Sequence, residues 1–352
     1  MCQTMKNGVK NDVKRLYSSL NTMYYNLKTK NSSRYQSKGK DLESFSEVYK
    51  VWKPPGGPNV ILLRWYMTEW CNYKCPYCSQ THGRFEPKGD NLKAHSFDNF
   101  PIDRWLEAFR LHFKNVKLSL VITGGEPLID KKNMVKLLTA FNEMPEIECV
   151  RIDTNASWNV DWYKGLDKSK IILMCTYHPS QIEEHQFFDA IQKILDNGFH
   201  IGMINFVITS ETREKYFEYK NTFKKMGIPL HPNPIWDKSG HHKKEDMQFF
   251  ENELPTVDYL YRTGTKSPKG KKCLFPSLAY EMDFKGNIHI GCYPKTSVNF
   301  LNSKLPLPFP GPVTCPNTQC ACLDKYSFLE GINRNVTTNP LELYSQALLE
   351  RK

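Results

Sequence analysis

Between Asn59 and Ile235 the chain alternates strand-length apolar runs with helix-length amphipathic ones, and this rhythm limits the folds open to it. Strands are read at Asn59–Thr68, Lys117–Thr123, Glu148–Thr154, Lys170–Tyr177, Phe199–Thr209 and Ile228–Ile235. A helix is read at Ile102–Phe113, where Trp105, Leu106, Phe109 and Phe113 share one face. Others are read at Lys131–Asn142, Gln181–Asp196 and Thr212–Met226, with a short one near Trp162. Strands separated by helices pair in parallel through right-handed crossovers. Six such units give an α/β fold, either an open barrel or a doubly wound sheet, and periodicity does not choose between the two.

The flanks differ. Residues 1–57 are polar and basic, and Leu16, Leu20, Met23 and Leu27 follow a helical stripe, so an N-terminal helical arm is expected there. Lys53-Pro54-Pro55-Gly56-Gly57-Pro58 breaks the chain before the α/β region at 58–236. From 237 to 352 the alternation stops. A charged stretch with a helix around Met247–Leu254 leads into a Pro-, Gly- and Cys-rich region, and a weak core of that kind needs a staple such as a metal.

No apolar run approaches the roughly 18 residues of a membrane span. The start lacks an apolar signal-peptide core, so a soluble, cytoplasmic protein is expected. Without such a signal, the 11 cysteines read as metal ligands rather than disulfides. Cys149 and Cys175 stand alone in strand-like segments and read as buried spectators. The formal charge of +11 suits an anionic partner, but no compact Lys/Arg block is present and nucleic-acid binding is not favoured.

Cys71, Cys75 and Cys78 follow the first strand in the spacing Cys-x-x-x-Cys-x-x-Cys. Three thiolates can hold three irons of a 4Fe–4S cluster and leave the fourth open for chemistry. With His82 they could instead close a tetrahedral zinc site. A second signal, Gly124-Gly125-Glu126-Pro127, ends the second strand, on the sheet face where α/β proteins place ligands. Its glycines would let a ligand approach the backbone, and the Glu126 carboxylate would hold an ammonium group.

Together these two motifs resemble those of the radical S-adenosylmethionine (SAM) superfamily, over roughly residues 58–236. The resemblance implies a partial (β/α)6 TIM-like barrel. It implies a 4Fe–4S cluster on Cys71, Cys75 and Cys78, with SAM chelating the open iron and Glu126 and nearby backbone orienting its amino group. Reductive cleavage would then give a 5′-deoxyadenosyl radical that abstracts hydrogen from a substrate. Tyr77 matches an aromatic that packs near adenine, and Asn155 a polar strand end facing the site. Thr176 and His178 resemble positions that meet the ribose or methionine carboxylate, although relatives often carry Ser and Asp there. A flavodoxin- or ferredoxin-type electron donor is implied.

The C-terminal cysteines resemble the auxiliary-cluster extension called SPASM, or its shorter form, twitch. Lys285-Gly286-Asn287 reads as a hairpin turn that brings Cys273 and Cys292 together. Cys273, Cys292, Cys320 and Cys322 are the favoured ligands of one auxiliary 4Fe–4S cluster, with Cys315 as an alternative; a zinc ribbon is the competing reading. The main functional expectation is an oxidoreductase- or isomerase-type reaction on a small metabolite, an anionic one matching the basic charge. Modification of a ribosomal peptide is the enzymatic alternative, and a non-catalytic, metal-stapled binding protein the one from a different class. A sulfatase-maturing role is disfavoured because that group carries more C-terminal cysteines. Molybdenum-cofactor cyclisation is disfavoured because the chain ends Leu349-Glu350-Arg351-Lys352 without the usual Gly-Gly. Trp236, His231 and Asn233 are candidate lining residues.

Overall fold

The structure, a computed structural model, describes residues 60–78, 95–114, 116–209, 212–235, 249, 261, 266–273, 275, 279–289, 298–303, 305, 313–320 and 329. The expected N-terminal arm, His82, Trp236, Cys292, Cys322 and all of the Met247–Leu254 helix except Phe249 lie outside these residues.

Six parallel strands form the centre: β1 (Val60–Thr68), β2 (Lys117–Gly124), β3 (Ile147–Thr154), β4 (Ile171–Tyr177), β5 (His200–Ile208) and β6 (Leu230–Pro234). Their order is β6-β5-β4-β3-β2-β1, so each strand lies beside its predecessor. A doubly wound sheet would reverse direction at a switch point, and this one does not. Right-handed crossovers without a reversal put the helices on one face and leave the other as a concave interior. That is the architecture of a partial barrel.

Besides the single turn Ser96–Asn99, the helices among the described residues are α1 (Ile102–Phe113), α2 (Lys131–Glu143), α3 (Glu184–Asp196) and α4 (Tyr216–Lys225). Asp130 caps α2 by accepting from the Asn133 N–H, and Glu183 with Gln186 forms a capping box at α3. The box starts α3 three residues later than the apolar pattern does, because Gln181 and Ile182 are held in a turn onto the His178 carbonyl. The β3–β4 connection is short and carries only a 3-10 turn, Val160–Tyr163.

Aromatic side chains fill the layer between sheet and helices. Trp65 packs on Trp105 at 4.8 Å and on Phe109 at 5.6 Å, while Tyr177, Phe187, Phe206 and Tyr219 form a second group. Strand residues alternate faces, so Thr176, next to helix-facing Tyr177, belongs to the interior face. Cys175 joins the main core, and Cys149 packs in a separate buried group with Ile172, Met174 and Met203. Both thiols are fully buried, as expected of small hydrophobes.

The C-terminal region does not stand apart from the barrel. β8 (Ala279–Met282) pairs in parallel with β1, and β9 (Ile288–His289) pairs antiparallel with β8, extending the sheet to eight strands. Their turn is the expected one: Gly286 has φ +83°, and Asp283 accepts from the N–H groups of Lys285 and Asn287. The described hairpin strands run from Ala279 to His289, and Cys292, the expected neighbour of Cys273, lies outside the described residues. Cys273 lies in β7 (Lys272–Cys273), which pairs antiparallel with β10 (Val313–Thr314), next to Cys315. Among the described residues no helix is long and apolar enough to cross a membrane.

Candidate active site

The loop 69–78 leaves the carboxyl end of β1 with alternating exposure. Trp70, Asn72, Lys74 and Pro76 face out, while Cys71, Tyr73, Cys75 and Tyr77 are half-buried or buried. Three neighbouring strand ends hold it in place.

The first support is the turn after β2. The Gly125 N–H donates to the Thr68 carbonyl at 2.6 Å, and the Glu126 N–H to the Trp70 carbonyl at 2.7 Å. A Cβ at Gly124 would collide with the Thr68 backbone, and one at Gly125 with the Trp70 backbone. Gly124 also has φ +130°, which disfavours any side chain. The space where a Cβ would sit at these glycines is therefore filled by the cysteine loop itself. Glu126 extends the same support. Its carboxylate is completely buried and accepts from Leu128 N, Thr154 Oγ1 and Asn155 N, so it fixes the turn to β3. Burial raises this carboxyl to about 7 even though those bonds pull it down. Pro127 opens the following 3-10 turn, where its missing N–H is not needed.

The second support is the end of β3. Asn155 Nδ2 lies 3.7 Å from Cys71 Sγ and donates to Asn72 Oδ1 at 3.1 Å, while Asn72 donates to Ser157 Oγ at 2.7 Å. Ala156 sits between them with φ +61°, an uncommon conformation for a residue with a Cβ. The third support follows β4. Tyr77 stacks on His178 with rings 6.0 Å apart, its hydroxyl 3.4 Å from Nδ1, and Ser180 Oγ donates to that hydroxyl. Tyr73 meets the same imidazole edge-on, and the Lys74 N–H donates to Gln181 Oε1 at 2.8 Å. Burial pushes His178 down to about 4, so it is neutral at physiological pH.

Burial pushes the Cys71 and Cys75 thiols up to about 11, and nearby negative groups add to the rise; at Cys71 the Tyr73 N–H, 3.3 Å from Sγ, opposes it. A metal centre supplies the positive charge that makes such thiols thiolates. Among the described residues no three His, Cys, Asp or Glu side chains converge on one ion-sized point. A cubic cluster takes its thiolates at separate corners and does not need them to meet at one such point. Donors aimed at Cys71 Sγ and three cysteines on one seated loop fit the cluster.

Sequence reasoning missed the charged network of the interior. Arg151 pairs with Asp153 at 2.7 Å and Arg64 with the same carboxylate at 3.5 Å, while Tyr66 donates to Glu281 at 3.3 Å. Burial works to raise Asp153, but the two arginines hold it below the usual carboxylate range. Two opposite charges at i and i+2 of an otherwise apolar strand were the available signal. In the C-terminal region Cys273, Cys315 and Cys320 are all buried.

Residues 65–220 match the family model of the radical SAM superfamily. Residues 65–220 are thus similar to a radical SAM domain. Such a domain implies a 4Fe–4S cluster and SAM. Curated relatives include the GTP 3′,8-cyclase of Clostridium perfringens (strain SM101 / Type A), 25% identical over 189 residues, or 49% of this chain and 55% of that protein. The GTP 3′,8-cyclase of Rhizobium meliloti (strain 1021) is 36% identical over 99 residues, 28% of this chain and 25% of that protein. The chain thus spans about half, or less, of the curated relatives it matches. A solved structure described as native anSMEcpe with bound AdoMet aligns with TM-score 0.50 at 14% identity, over 83% of this chain and 96% of that one. At that identity the likeness concerns the fold.

Proposed function

We propose that this radical SAM enzyme cleaves SAM reductively at a 4Fe–4S cluster held by Cys71, Cys75 and Cys78, and that the resulting 5′-deoxyadenosyl radical takes hydrogen from a small metabolite. The observation that carries this reading is the seating of the cysteine loop on the Gly124–Glu126 turn and on Asn155. When bound, the cluster supplies the electron that breaks the C5′–S bond. The chain's own part is positional. Asn155 and the Tyr73 N–H donate towards Cys71 Sγ and stabilise its thiolate. The Tyr77–His178 stack and Thr176 form the side of the cleft assigned to the adenosine. A neutral His178 offers that ligand hydrogen bonding without charge.

The relatives' printed name, GTP 3′,8-cyclase, favours a small anionic substrate over a ribosomal peptide. A nucleotide joins the candidate substrates on that ground. In the C-terminal region one auxiliary 4Fe–4S cluster is assigned to Cys273, Cys292, Cys320 and Cys322, with Cys315 as the alternative, to accept an electron from the substrate or hold it. An acidic protein of the flavodoxin or ferredoxin type supplies the reducing electron.

Anaerobic reconstitution with iron and sulfide tests the reading. Reduction in the presence of SAM yields 5′-deoxyadenosine, and Cys71→Ala, Cys75→Ala or Cys78→Ala abolishes it. Retained 5′-deoxyadenosine in any of these variants, or bound zinc without SAM cleavage in the wild type, refutes the assignment. Repeating the assay with GTP as added substrate reports whether nucleotide chemistry extends to this chain.

A further inference from the structure

Residues 298–303 and Leu305 form a strap that crosses from the β8–β9 hairpin to α1. At the hairpin the Ile288 N–H donates to the Val298 carbonyl at 2.9 Å, and the Phe300 N–H to the Gly286 carbonyl at 2.7 Å. At α1 the Phe300 side chain is fully buried, its ring 4.8 Å from Phe109 and 6.3 Å from Trp105. Arg104 of α1 donates to Asn302 Oδ1 at 2.6 Å. The hairpin turn joins the same contact, since a Cβ at Gly286 would meet the Trp105 side chain at 3.4 Å.

His112, in the last turn of α1, holds the strap by both ring nitrogens. Nε2 lies 2.7 Å from the Phe300 carbonyl, and the Leu305 N–H donates to Nδ1 at 3.4 Å. A carbonyl only accepts, so Nε2 carries the proton, and Nδ1 must be bare to accept. The two bonds therefore admit one form of the ring, the neutral Nε2–H tautomer. A second proton would sit on Nδ1, break the Leu305 bond and leave two donors face to face. It would also charge a half-buried ring that lies 4.8 Å from Phe300. Burial pulls His112 below its ordinary 6.5, and its bond to the Phe300 carbonyl opposes the fall. Among the described residues no charged side chain contributes to this balance, neither Arg104, Glu107, Arg110 or Lys114 beside it on α1 nor Asp283, Lys285 or His289 on the hairpin.

We propose that His112 is an acid-sensitive latch, which fastens the strap and the β8–β9 hairpin to α1 and releases them when its ring takes a second proton. The inference goes beyond the proposed function and requires neither cluster nor SAM. The docked strap binds fewer protons than the released one. Docking therefore weakens as pH falls through the ordinary histidine value and is flat above it. The hairpin bears on the site because β8 pairs with β1, the strand that leads to Cys71, and because Glu281 of β8 takes the Tyr66 hydroxyl.

Amide hydrogen exchange of the reconstituted full chain tests the latch, read from pH about 7.5 down to about 5.5 and corrected for the intrinsic pH dependence of exchange. Protection of peptides covering the strap is expected to fall at least about threefold across that range, while peptides of β3 and β4 keep theirs. His112→Gln can still donate to the Phe300 carbonyl but has no second proton to gain, so its strap protection stays constant with pH. Phe300→Ala removes the buried anchor and exposes the strap at every pH. Nitrogen-15 NMR of the wild-type imidazoles needs no variant: the ring in contact with Phe300 is expected as the Nε2–H tautomer, titrating below the ordinary value. Four results each overturn the inference: strap protection that ignores pH in the wild type, pH dependence that survives in His112→Gln, a proton on Nδ1 of that ring at neutral pH, or loss of barrel protection in step with the strap.

Discussion

At Glu126 a single side chain ties the turn after β2 to the end of β3. Its place after two glycines at a strand end marks it as part of the site. Its fully buried carboxylate, with Leu128, Thr154 and Asn155 as donors, makes it a brace between β2 and β3. Its proton gives the brace a pH dependence. The carboxyl rises from 4.5 to about 7 because of burial. Between these pH values the folded protein keeps a proton that the unfolded chain releases, so this group's contribution to stability falls as pH rises through that window and is flat above it. A Glu126→Gln variant has no such proton. Denaturant unfolding at several pH values should show wild-type stability dropping by about 3 kcal/mol relative to the variant across the window. A constant difference between the two proteins contradicts the burial argument.

At the scale of elements, the alternating pattern was enough to place β1 to β6 and α1 to α4, because both periodicities are set by which face meets the core. The α1 bounds coincide with the expected Ile102–Phe113. The late start of α3 was not visible, since it depends on the capping box and a turn held by His178. Strand order was not visible either, because a sequence pattern does not say on which side of its predecessor a strand pairs. In the site, the seats of the cysteine loop were only half legible. Gly124 and Gly125 stood out, but what fills their space is a tertiary fact, and the interior network of Arg64, Arg151 and Asp153 was overlooked. This contact between two loops is open to test. Adding a methyl group at Gly125 forces the Trp70 backbone away, and with it the Glu126 N–H bond to the Trp70 carbonyl. Gly125→Ala should keep the circular dichroism of the barrel but bind less than half the wild-type iron after reconstitution. Full iron loading in a folded variant counts against the seat.

The molecule as a whole joins a cysteine loop, a barrel and a C-terminal region that shares the barrel's sheet. Pairing β8 with β1 places the hairpin on the strand that delivers Cys71, and Tyr66 of β1 reaches Glu281 of β8. The remaining C-terminal elements form their own small sheet, β7 with β10, which carries Cys273 beside the segment of Cys315. The Cys315 N–H donates to the Lys271 carbonyl at 2.8 Å, and the Cys320 N–H to the Tyr261 carbonyl at 2.9 Å. Tyr261, Cys273, Phe275, Cys315, Cys320 and Leu329 around it all belong to the main buried core, and a metal centre would add to that burial. If one auxiliary cluster sits there, a Cys273→Ala/Cys292→Ala variant should lose about four irons per chain, the content of one such cluster. It should still cleave SAM at Cys71, Cys75 and Cys78. The separate Cys315→Ala variant distinguishes the two ligand sets: normal iron supports Cys292 and Cys322 as partners of Cys273 and Cys320, while the same loss of iron moves Cys315 into the set. Unchanged iron in the double variant removes the auxiliary cluster, and a matching loss of zinc replaces it with a ribbon.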